Sequence, residues 1–447
     1  METLVRIAEA LGRFSARFVP SAFSIAVLLS LLTMGLAMGW ADAPAPKVLD
    51  AWGGGFWELL TFSMQMALVM FTGYLLALTT PVRALLEKVS GLARTPRGAV
   101  ALMAFVSMAL AYINWGLSLV ASAMLVRYVA RRRPDVDYRL LVACAYFGLG
   151  ATWHAGLSAS APLLVATPGH FLEKSIGLIP IDRTLFSPFN LVLTVSVVAG
   201  LTLLAWALHP RPEHVVRVDP AVLEKLGDFV PPERPAEKSL ALWLDHARLL
   251  NVIFGVLGLL WLGRYLWLNG GWRALNLNVV NFTFLVLAVL LHGTPARLIK
   301  AAEEAGSVLH GIVLQFPLYA GIYGIFKTTG LTDRIGELFV SLSTKETFPA
   351  IVYLYSGVVN YFVPSGGSKW AIEAPYLLDA ASRLGVAPEK VVLAYAWGDM
   401  ATDLIQPFWA LPLLAVARLE FKDILGFLLV AFLVYLPLVT LAFFLLG

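Results

Sequence analysis

Long apolar stretches separated by short polar segments dominate this chain. A membrane hydrocarbon core about 30 Å thick requires roughly 20 apolar residues per spanning helix. We therefore predict about nine transmembrane helices and an all-α polytopic membrane protein. The predicted spans are residues 20–40, 57–79, 138–168, 188–208, 249–268, 274–292, 307–326, 389–417 and 424–446.

Two further apolar stretches, residues 98–130 and 347–381, are too long for one crossing and too short for two crossings with a turn. Basic residues flank the first stretch on both sides and favour the cytoplasm at both ends. The second stretch contains NYFVPSGGS at residues 360–368, a sequence that interrupts a helix. Both are predicted to be re-entrant hairpins of two half-depth helices, the first with its tip at residues 114–116.

Composition agrees with a membrane protein and excludes other classes. Residues of the set AVILMFWYC make up 59% of the 447 positions, and charged residues make up 14%, against about 25% charged in soluble domains. The single cysteine, Cys144, allows no intrachain disulfide. The Lys and Arg residues lie mainly in loops that orient the protein, with the amino terminus cytoplasmic and the carboxyl terminus outside, so no nucleic-acid partner is expected.

The domain plan follows from an internal repeat. At a shift of 250 residues, Gly148 aligns with Gly398, Thr152 with Thr402, and apolar spans, hairpins and helix breakers recur in the same order. We expect an amphipathic surface helix at residues 1–19, a first repeat at 20–208, a cytoplasmic linker with an unpaired helix at 209–269, and a second repeat at 270–447. Because an odd number of spans precedes the second repeat, its orientation in the membrane is opposite to that of the first, as in secondary transporters.

A span broken in its middle follows each hairpin. Residues 138–168 contain GLGATWHAGLSASAP, and residues 389–417 contain GDMATDLIQP. Unpaired backbone groups persist at membrane depth only inside protein or beside a wet cavity. The amino ends of half-helices suit a carboxylate and unwound carbonyls suit a small cation, so the pattern is typical of a symporter.

The candidate coupling residues are polar groups at membrane depth. Asp399 and Asp403 share a helical face and are predicted to handle a cation or proton, with a surface position or structural pairing as the alternative. His154 has an ordinary pKa near 6.5 and is a candidate proton carrier or a packing residue. Lys369 either contacts an anionic substrate or pairs with Glu373 one turn away.

Amide side chains complete the candidate set. Asn114 and Asn360, at the two hairpin tips, are predicted to coordinate an ion or a carboxylate, with hairpin capping as the alternative. Gln65 and Gln315, at matching places in two spans, bond either a substrate oxygen or a neighbouring helix.

These motifs resemble the short-chain fatty acid transporter family, of the acetoacetate and butyrate uptake type. The most specific string is VNYFVPSGGSKWAIEAP at residues 359–375. INWG at 113–116, QFPLYAG at 315–321 and GDMATDLIQP at 398–407 support it, and the resemblance extends over nearly the whole chain. The charges at Lys369 and Glu373 depart from the pattern of that family.

The resemblance implies membership of the ion transporter superfamily, with inverted repeats, a homodimer and elevator-like movement of a transport domain. It implies that Asn114, Asn360, Ser365, Thr152 and Thr402 line the substrate and cation sites. The full set of candidate substrate residues is Asn114, Asn360, Ser365, Gly366, Gly367, Ser368, Lys369, Thr152, Thr402, Gln65 and Gln315. The candidate coupling residues are Asn114, Ser118, His154, Asn360, Asp399 and Asp403.

The function predicted from the sequence is cation-coupled symport of short monocarboxylates such as butyrate or acetoacetate across the inner membrane, without a cofactor. Na⁺ near Asn114 and Asn360 is favoured over H⁺ because Asn, Ser, Thr and carbonyl oxygens are hard neutral ligands. The alternatives are a passive anion channel and an intramembrane hydrolase that uses Asp399 with Asp403, or Ser158 with His154. The hydrolase is disfavoured because two carboxylates on one helix do not converge on one bond from separate elements.

Overall fold

The chain folds into helices joined by short turns. The computed structural model describes residues 20–219, 222, 229–234, 236 and 239–445, and no strand occurs within these ranges. The predicted surface helix at residues 1–19 lies outside the described residues. The α-helices are Ala22–Gly39, Ala45–Gly55, Leu60–Ala77, Thr80–Ser90, Pro96–Ile113, Trp115–Arg132, Tyr138–Ala151, Ser160–Leu164, Glu173–Ile176, Pro188–Leu208, Leu240–His246, Leu249–Leu268, Leu277–His292, Pro295–Gly306, His310–Thr329, Leu331–Leu342, Phe348–Phe362, Gly366–Leu384, Pro388–Asp403, Leu411–Ala417 and Phe421–Leu445.

The helices have the lengths and apolar character of a polytopic membrane protein. Among the described residues, six helices are long and apolar enough to cross a membrane, or up to eight if each of two bent pairs counts as one span. The pair Pro295–Gly306 and His310–Thr329 bends by 53°, and the pair Pro388–Asp403 and Phe408–Ala417 bends by 66°. Large apolar side chains on several of these helices are exposed on the outer surface, where lipid would cover them. The all-α polytopic class is confirmed.

Two helical hairpins occupy the predicted stretches. The first joins Pro96–Ile113 to Trp115–Arg132 through Asn114 alone, and the second joins Phe348–Phe362 to Gly366–Leu384 through residues 363–365. The first arm of each hairpin is called the inner arm below, and the second is called the outer arm. Both arms of the first hairpin have 18 residues, about 27 Å at 1.5 Å per residue. They are longer than the half-depth helices expected, because the predicted stretch of 33 residues already allows about 16 residues, roughly 24 Å, per arm. The helices extend beyond that stretch by only two residues at each end.

Both halves of the chain repeat one packing scheme. Each inner arm packs against the broken helix that follows it, Tyr138–Ala151 in the first half and Pro388–Asp403 in the second. Each outer arm packs against a helix from earlier in its own half, Leu60–Ala77 or His310–Thr329. The two hairpins are therefore held between an inner set of broken helices and an outer set of apolar helices.

Close helix contacts recur at the aligned positions. A Cβ added to Gly148 would lie 2.2 Å from the carbonyl oxygen of Ser107, and one added to Gly398 would lie 2.2 Å from that of Tyr353. Ser107 Oγ donates to the carbonyl of Cys144, and Ser356 Oγ donates to the carbonyl of Tyr395. The same small-residue contact thus joins inner arm to broken helix in each half.

Candidate functional site

A small cavity lies where the chain breaks meet. Its volume is about 50 Å³, above the roughly 10–15 Å³ that one water molecule needs. The lining combines polar groups of the second hairpin, Asp403 and Ser160 with aromatic and aliphatic side chains. The lining residues are Met66, Trp115, Leu149, Trp153, Ser160, Ile312, Phe316, Asn360, Pro364, Ser365, Gly366, Gly367, Asp403 and Trp409.

The second hairpin brings the amino end of a 19-residue helix to this cavity. The inner arm ends at Phe362, and the outer arm starts at Gly366. The first backbone bond of this helix start is donated by the N–H of Lys369 to the carbonyl of Ser365, at 2.9 Å. The N–H groups of the first turn of a helix have no partner within that helix, and they carry its positive dipole end. Such an end suits a carboxylate.

Gly366 allows the hairpin to approach the polar centre of the protein. A Cβ at this position would lie 2.6 Å from Asp399 Oδ2, 2.7 Å from the ring of Trp153 and 2.8 Å from His154 Cε1. Any larger residue would displace these three side chains. This close approach explains why the helix begins with glycine at residue 366.

The centre contains a buried ion pair. Lys369 Nζ lies 3.1 Å from Asp399 Oδ1, and both side chains are 1% exposed. The ammonium also donates to the carbonyl and to the hydroxyl of Ser356, at 2.9 and 2.6 Å, and lies 4.4 Å from the centre of the Tyr395 ring. Three partners and an aromatic face compensate for the loss of water around the cation.

The alternative pairing of Lys369 with Glu373 is not the one observed. Lys369 forms its ion pair with Asp399 on the second broken helix. Glu373 is 1% exposed, and neither carboxylate oxygen has a hydrogen-bond partner among the described residues. Helical spacing made Glu373 a possible partner, but the fold brings a carboxylate from another helix closer.

A hydrogen-bonded chain links this pair to the cavity wall. His154 Nδ1 lies 2.9 Å from Asp399 Oδ2, and His154 Nε2 lies 2.7 Å from Ser160 Oγ. Ser160 lines the cavity. Ser158, which the sequence offered as the partner of His154, instead accepts a bond from the backbone N–H of Trp115. Both broken helices contribute to this hydrogen-bonded chain, since His154 lies in the first and Asp399 in the second.

Asp403 is held by donors from three directions. Asn360 Nδ2 donates to Oδ1 at 2.8 Å, Trp153 Nε1 donates to Oδ2 at 3.1 Å, and Gln406 Nε2 lies 3.4 Å from Oδ1. Asn360 also donates to Thr402 Oγ1 at 3.2 Å. This carboxylate therefore joins the tip of the second hairpin to both broken helices.

Some predicted residues lie outside this cluster. Asn114 caps the outer arm by accepting from the N–H of Leu117, and it donates to the carbonyl of Val69. Ser118 donates to the carbonyl of Ser107 within the same hairpin. These contacts are those of a capping and packing segment, although the neighbouring Trp115 lines the cavity.

Three further candidates also lie away from the cavity wall. Thr152 donates to the carbonyl of Met108, the counterpart of the bond from Thr402 to Gly357. Gln65 donates to Asn278 Oδ1 on a neighbouring helix, at 2.7 Å. Gln315 is half-buried and precedes Phe316, which lines the cavity. Ser368 is buried beside the cavity, with its hydroxyl 2.7 Å from that of Ser365.

The aromatic part of the cavity lining was not predicted. Trp115 follows the first hairpin tip, Trp153 lies in the first break, and Trp409 follows the second break. Tryptophan is common at the membrane interface of membrane proteins, and the sequence analysis gave these three side chains no role in a binding site. Their placement directly at chain breaks was the signal that could have identified them.

Two solved structures share this fold. The YdaH transporter of Alcanivorax borkumensis, described as having an unusual topology, matches with a TM-score of 0.60 at 15% identity, over 95% of this chain and 98% of that one. MtrF of Neisseria gonorrhoeae, described within a class of antimetabolite efflux pumps, matches with a TM-score of 0.61 at 15% identity, over 99% and 98%. The fold is thus that of polytopic membrane transporters.

Sequence relatives identify the family. The model of the short chain fatty acid transporter family matches residues 3–446. A provisionally named short-chain fatty acid transporter of Escherichia coli (strain K12) is 40% identical over 96% of both chains. One of the same description from Haemophilus influenzae is 36% identical over 97% of this chain and 98% of that one. The chain belongs to the short-chain fatty acid transporter family.

Proposed function

We propose that the protein is a cation-coupled symporter of short-chain monocarboxylates such as butyrate or acetoacetate. The observation that carries the proposal is the small cavity between the helix breaks, which is lined both by hydrogen-bond donors and by apolar rings. A short fatty acid needs both, because it has a carboxylate at one end and a few methylenes at the other.

The carboxylate is proposed to bind at the second hairpin. Asn360, Ser365 and the backbone of Gly366 and Gly367 line the cavity. The free backbone N–H groups of the helix start and the Ser365 hydroxyl are suitable donors for a carboxylate. Both N–H groups of the Asn360 amide are already engaged by Asp403 and Thr402. Lys369 contributes positive potential from behind the helix start, but its ion pair with Asp399 keeps the ammonium from being an open anion site.

The coupling ion is proposed to be Na⁺. Asp403, Thr402 and the amide oxygen of Asn360 provide oxygen ligands beside the substrate carboxylate, and Na⁺ prefers such hard ligands. Asn114, beside the carbonyl groups at the first hairpin tip, is proposed as an alternative position for the same single cation and not as a site for a second one. A bound cation would offset the charge of the anion while both cross the membrane.

Transport is proposed to follow an elevator mechanism in a homodimer of the inner membrane. The two hairpins, the broken helices and the cavity would move together past the outer helices. The repeated packing of both outer arms against Leu60–Ala77 and His310–Thr329 supports this division, because these are the surfaces along which such movement would occur.

Proton coupling is the second candidate, and one observation favours it. The chain from Ser160 through His154 to Asp399 runs from the cavity to the buried ion pair and consists of groups that exchange protons.

The same order of groups, Ser, His and Asp, occurs in serine hydrolases. Loss of an ester substrate on incubation with the purified protein would support a hydrolase, and flux without saturation or counterflow would support a channel.

The test is uptake of labelled butyrate into proteoliposomes. An inward Na⁺ gradient at equal pH is expected to accelerate uptake and to produce accumulation above the external concentration. If uptake does not depend on Na⁺ but is accelerated by an inward proton gradient, the coupling ion is H⁺ and not Na⁺. In that case Ser160→Ala should abolish the response to pH. Counterflow with acids of two to six carbons would define the substrate range.

A further inference from the structure

We propose that Trp115, Trp153 and Trp409 form a wall that sets the longest acyl chain the site accepts. This inference rests on the proposed transport of monocarboxylates. It assigns chain-length selection to three residues that the family match does not assign.

The three indoles form one continuous cluster. The ring of Trp115 lies 5.5 Å from that of Trp409 and 6.3 Å from that of Trp153, both in edge-to-face arrangements. All three line the cavity. Rings in such contact stabilise one another beyond their burial and form a stiff surface. A stiff wall discriminates by size, whereas flexible side chains would yield.

Hydrogen bonds hold two of the indoles in place. Trp409 Nε1 donates to the carbonyl of Pro364, at 2.9 Å, and Trp153 Nε1 donates to Asp403, at 3.1 Å. Trp153 is also stacked on His154, with ring centres 4.2 Å apart. The wall is therefore fixed to the same hairpin and carboxylate that form the polar part of the cavity lining.

Binding at the helix start fixes the orientation of the substrate. With its carboxylate at the backbone N–H groups of Gly366 and Gly367, its alkyl chain would extend along the apolar lining, which includes the indoles and Leu149. A cavity of about 50 Å³ leaves little room behind a short chain. Each additional methylene would then press against the wall.

The wall belongs to the broken elements. Trp115 starts an outer arm, whereas Trp153 and Trp409 lie in the two broken helices. The remaining apolar lining, Met66, Ile312 and Phe316, comes from Leu60–Ala77 and His310–Thr329. If the hairpins and broken helices move as a unit, the indoles stay with the substrate throughout transport. Chain-length selection would then be the same at both faces of the membrane.

Trp115→Leu is the informative variant. It shortens the wall without removing the indole bonds of Trp153 and Trp409, and its backbone N–H still reaches Ser158. The measurement is the ratio of hexanoate uptake to butyrate uptake in proteoliposomes. We expect this ratio to rise about tenfold, within the range for methylene discrimination in apolar pockets, and to rise less in Trp115→Phe.

Leu149→Ala widens the cavity from the first broken helix and tests the wall if Trp115→Leu fails to fold. Trp57→Leu, at a side chain 68% exposed, is the matched control and should leave the ratio unchanged. An unchanged ratio in folded Trp115→Leu and Leu149→Ala would overturn the wall while leaving butyrate transport in place. Absence of butyrate uptake in the wild-type protein would instead overturn the proposed function, and the wall with it.

Discussion

At the scale of single residues, the ion pair of Lys369 and Asp399 allows charged groups to be buried at the centre of the protein. The two groups come from the second hairpin and the second broken helix, and Ser356 and His154 supply their other bonds. An isolated charge at this depth would be very unfavourable, and a paired one is close to neutral in free energy. Each charged side chain therefore offsets the free-energy cost of burying the other.

Lys369→Met should destabilise the protein because Asp399 would remain buried without its cation. The expected loss is about 3–5 kcal/mol of unfolding free energy, measured by thermal unfolding in detergent. The double variant Lys369→Met with Asp399→Asn should recover most of this stability, since both charges are then gone, but not uptake. The matched control is Lys327→Met, whose pair with Glu58 is exposed and is worth about 0–1 kcal/mol. Equal losses in both lysine variants would contradict the role of burial.

Asn360→Ala should abolish butyrate uptake while the protein still accumulates in the membrane. The amide joins Asp403 to Thr402, at 2.8 and 3.2 Å, and it lines the cavity. Its loss removes a ligand and leaves Asp403 with fewer donors. Asn269→Ala is the control, because Asn269 lies exposed at the end of Leu249–Leu268. Wild-type uptake by Asn360→Ala would remove the hairpin tip from the mechanism.

Residue spacing identified the candidate polar side chains but not which of them are in contact. Asn114 and Asn360 align in the sequence, yet one caps a helix and the other reaches Asp403. The reason is the length of the break, which is one residue in the first hairpin and three in the second. Partners on different helices, such as Lys369 and Asp399, depend on packing that a helical period cannot express.

At the scale of elements, glycines set the distance between each inner arm and its broken helix. Gly148 and Gly398 face backbone carbonyls at distances where no Cβ fits. The broken helices, with Pro and Gly in their middles, were readable in the sequence because those residues act locally. The hairpins also match the predicted stretches, 98–130 and 347–381, to within three residues at each end. The expected half depth was wrong, because two arms of this length each exceed half the membrane thickness of about 15 Å.

Gly148→Ala and Gly398→Ala should destabilise the protein to similar extents, because the halves repeat the same contact. Each Cβ would lie 2.2 Å from a carbonyl oxygen, and overpacking of this kind costs about 1–3 kcal/mol. Thermal unfolding in detergent is the measurement. Gly426→Ala, within Phe421–Leu445 and with nothing within 4 Å of the added Cβ, is the control. It should be neutral or slightly stabilising, since alanine favours a helix by about 1 kcal/mol. A loss at only one of the two repeated glycines would contradict equivalent packing.

At the scale of the whole molecule, the charge that crosses the membrane depends on the cargo alone. Lys369 and Asp399 travel as a neutral pair in the proposed mechanism, and any charge on Asp403 returns with the empty protein. One Na⁺ per carboxylate leaves the charge of the loaded unit equal to that of the empty unit. A second Na⁺ would add an uncompensated charge at membrane depth, which is unfavourable.

We therefore expect butyrate transport to be electroneutral. In proteoliposomes with a K⁺ gradient and valinomycin, an inside-negative potential of about 100 mV should leave the steady-state accumulation of butyrate unchanged at a fixed Na⁺ gradient. If two Na⁺ accompanied each carboxylate, the potential would add about 2.3 kcal/mol per charge and raise accumulation roughly fiftyfold. Liposomes without protein measure passive entry of the protonated acid. A potential-dependent accumulation above that background would contradict one-to-one coupling, because only a net positive cargo responds to voltage in this direction.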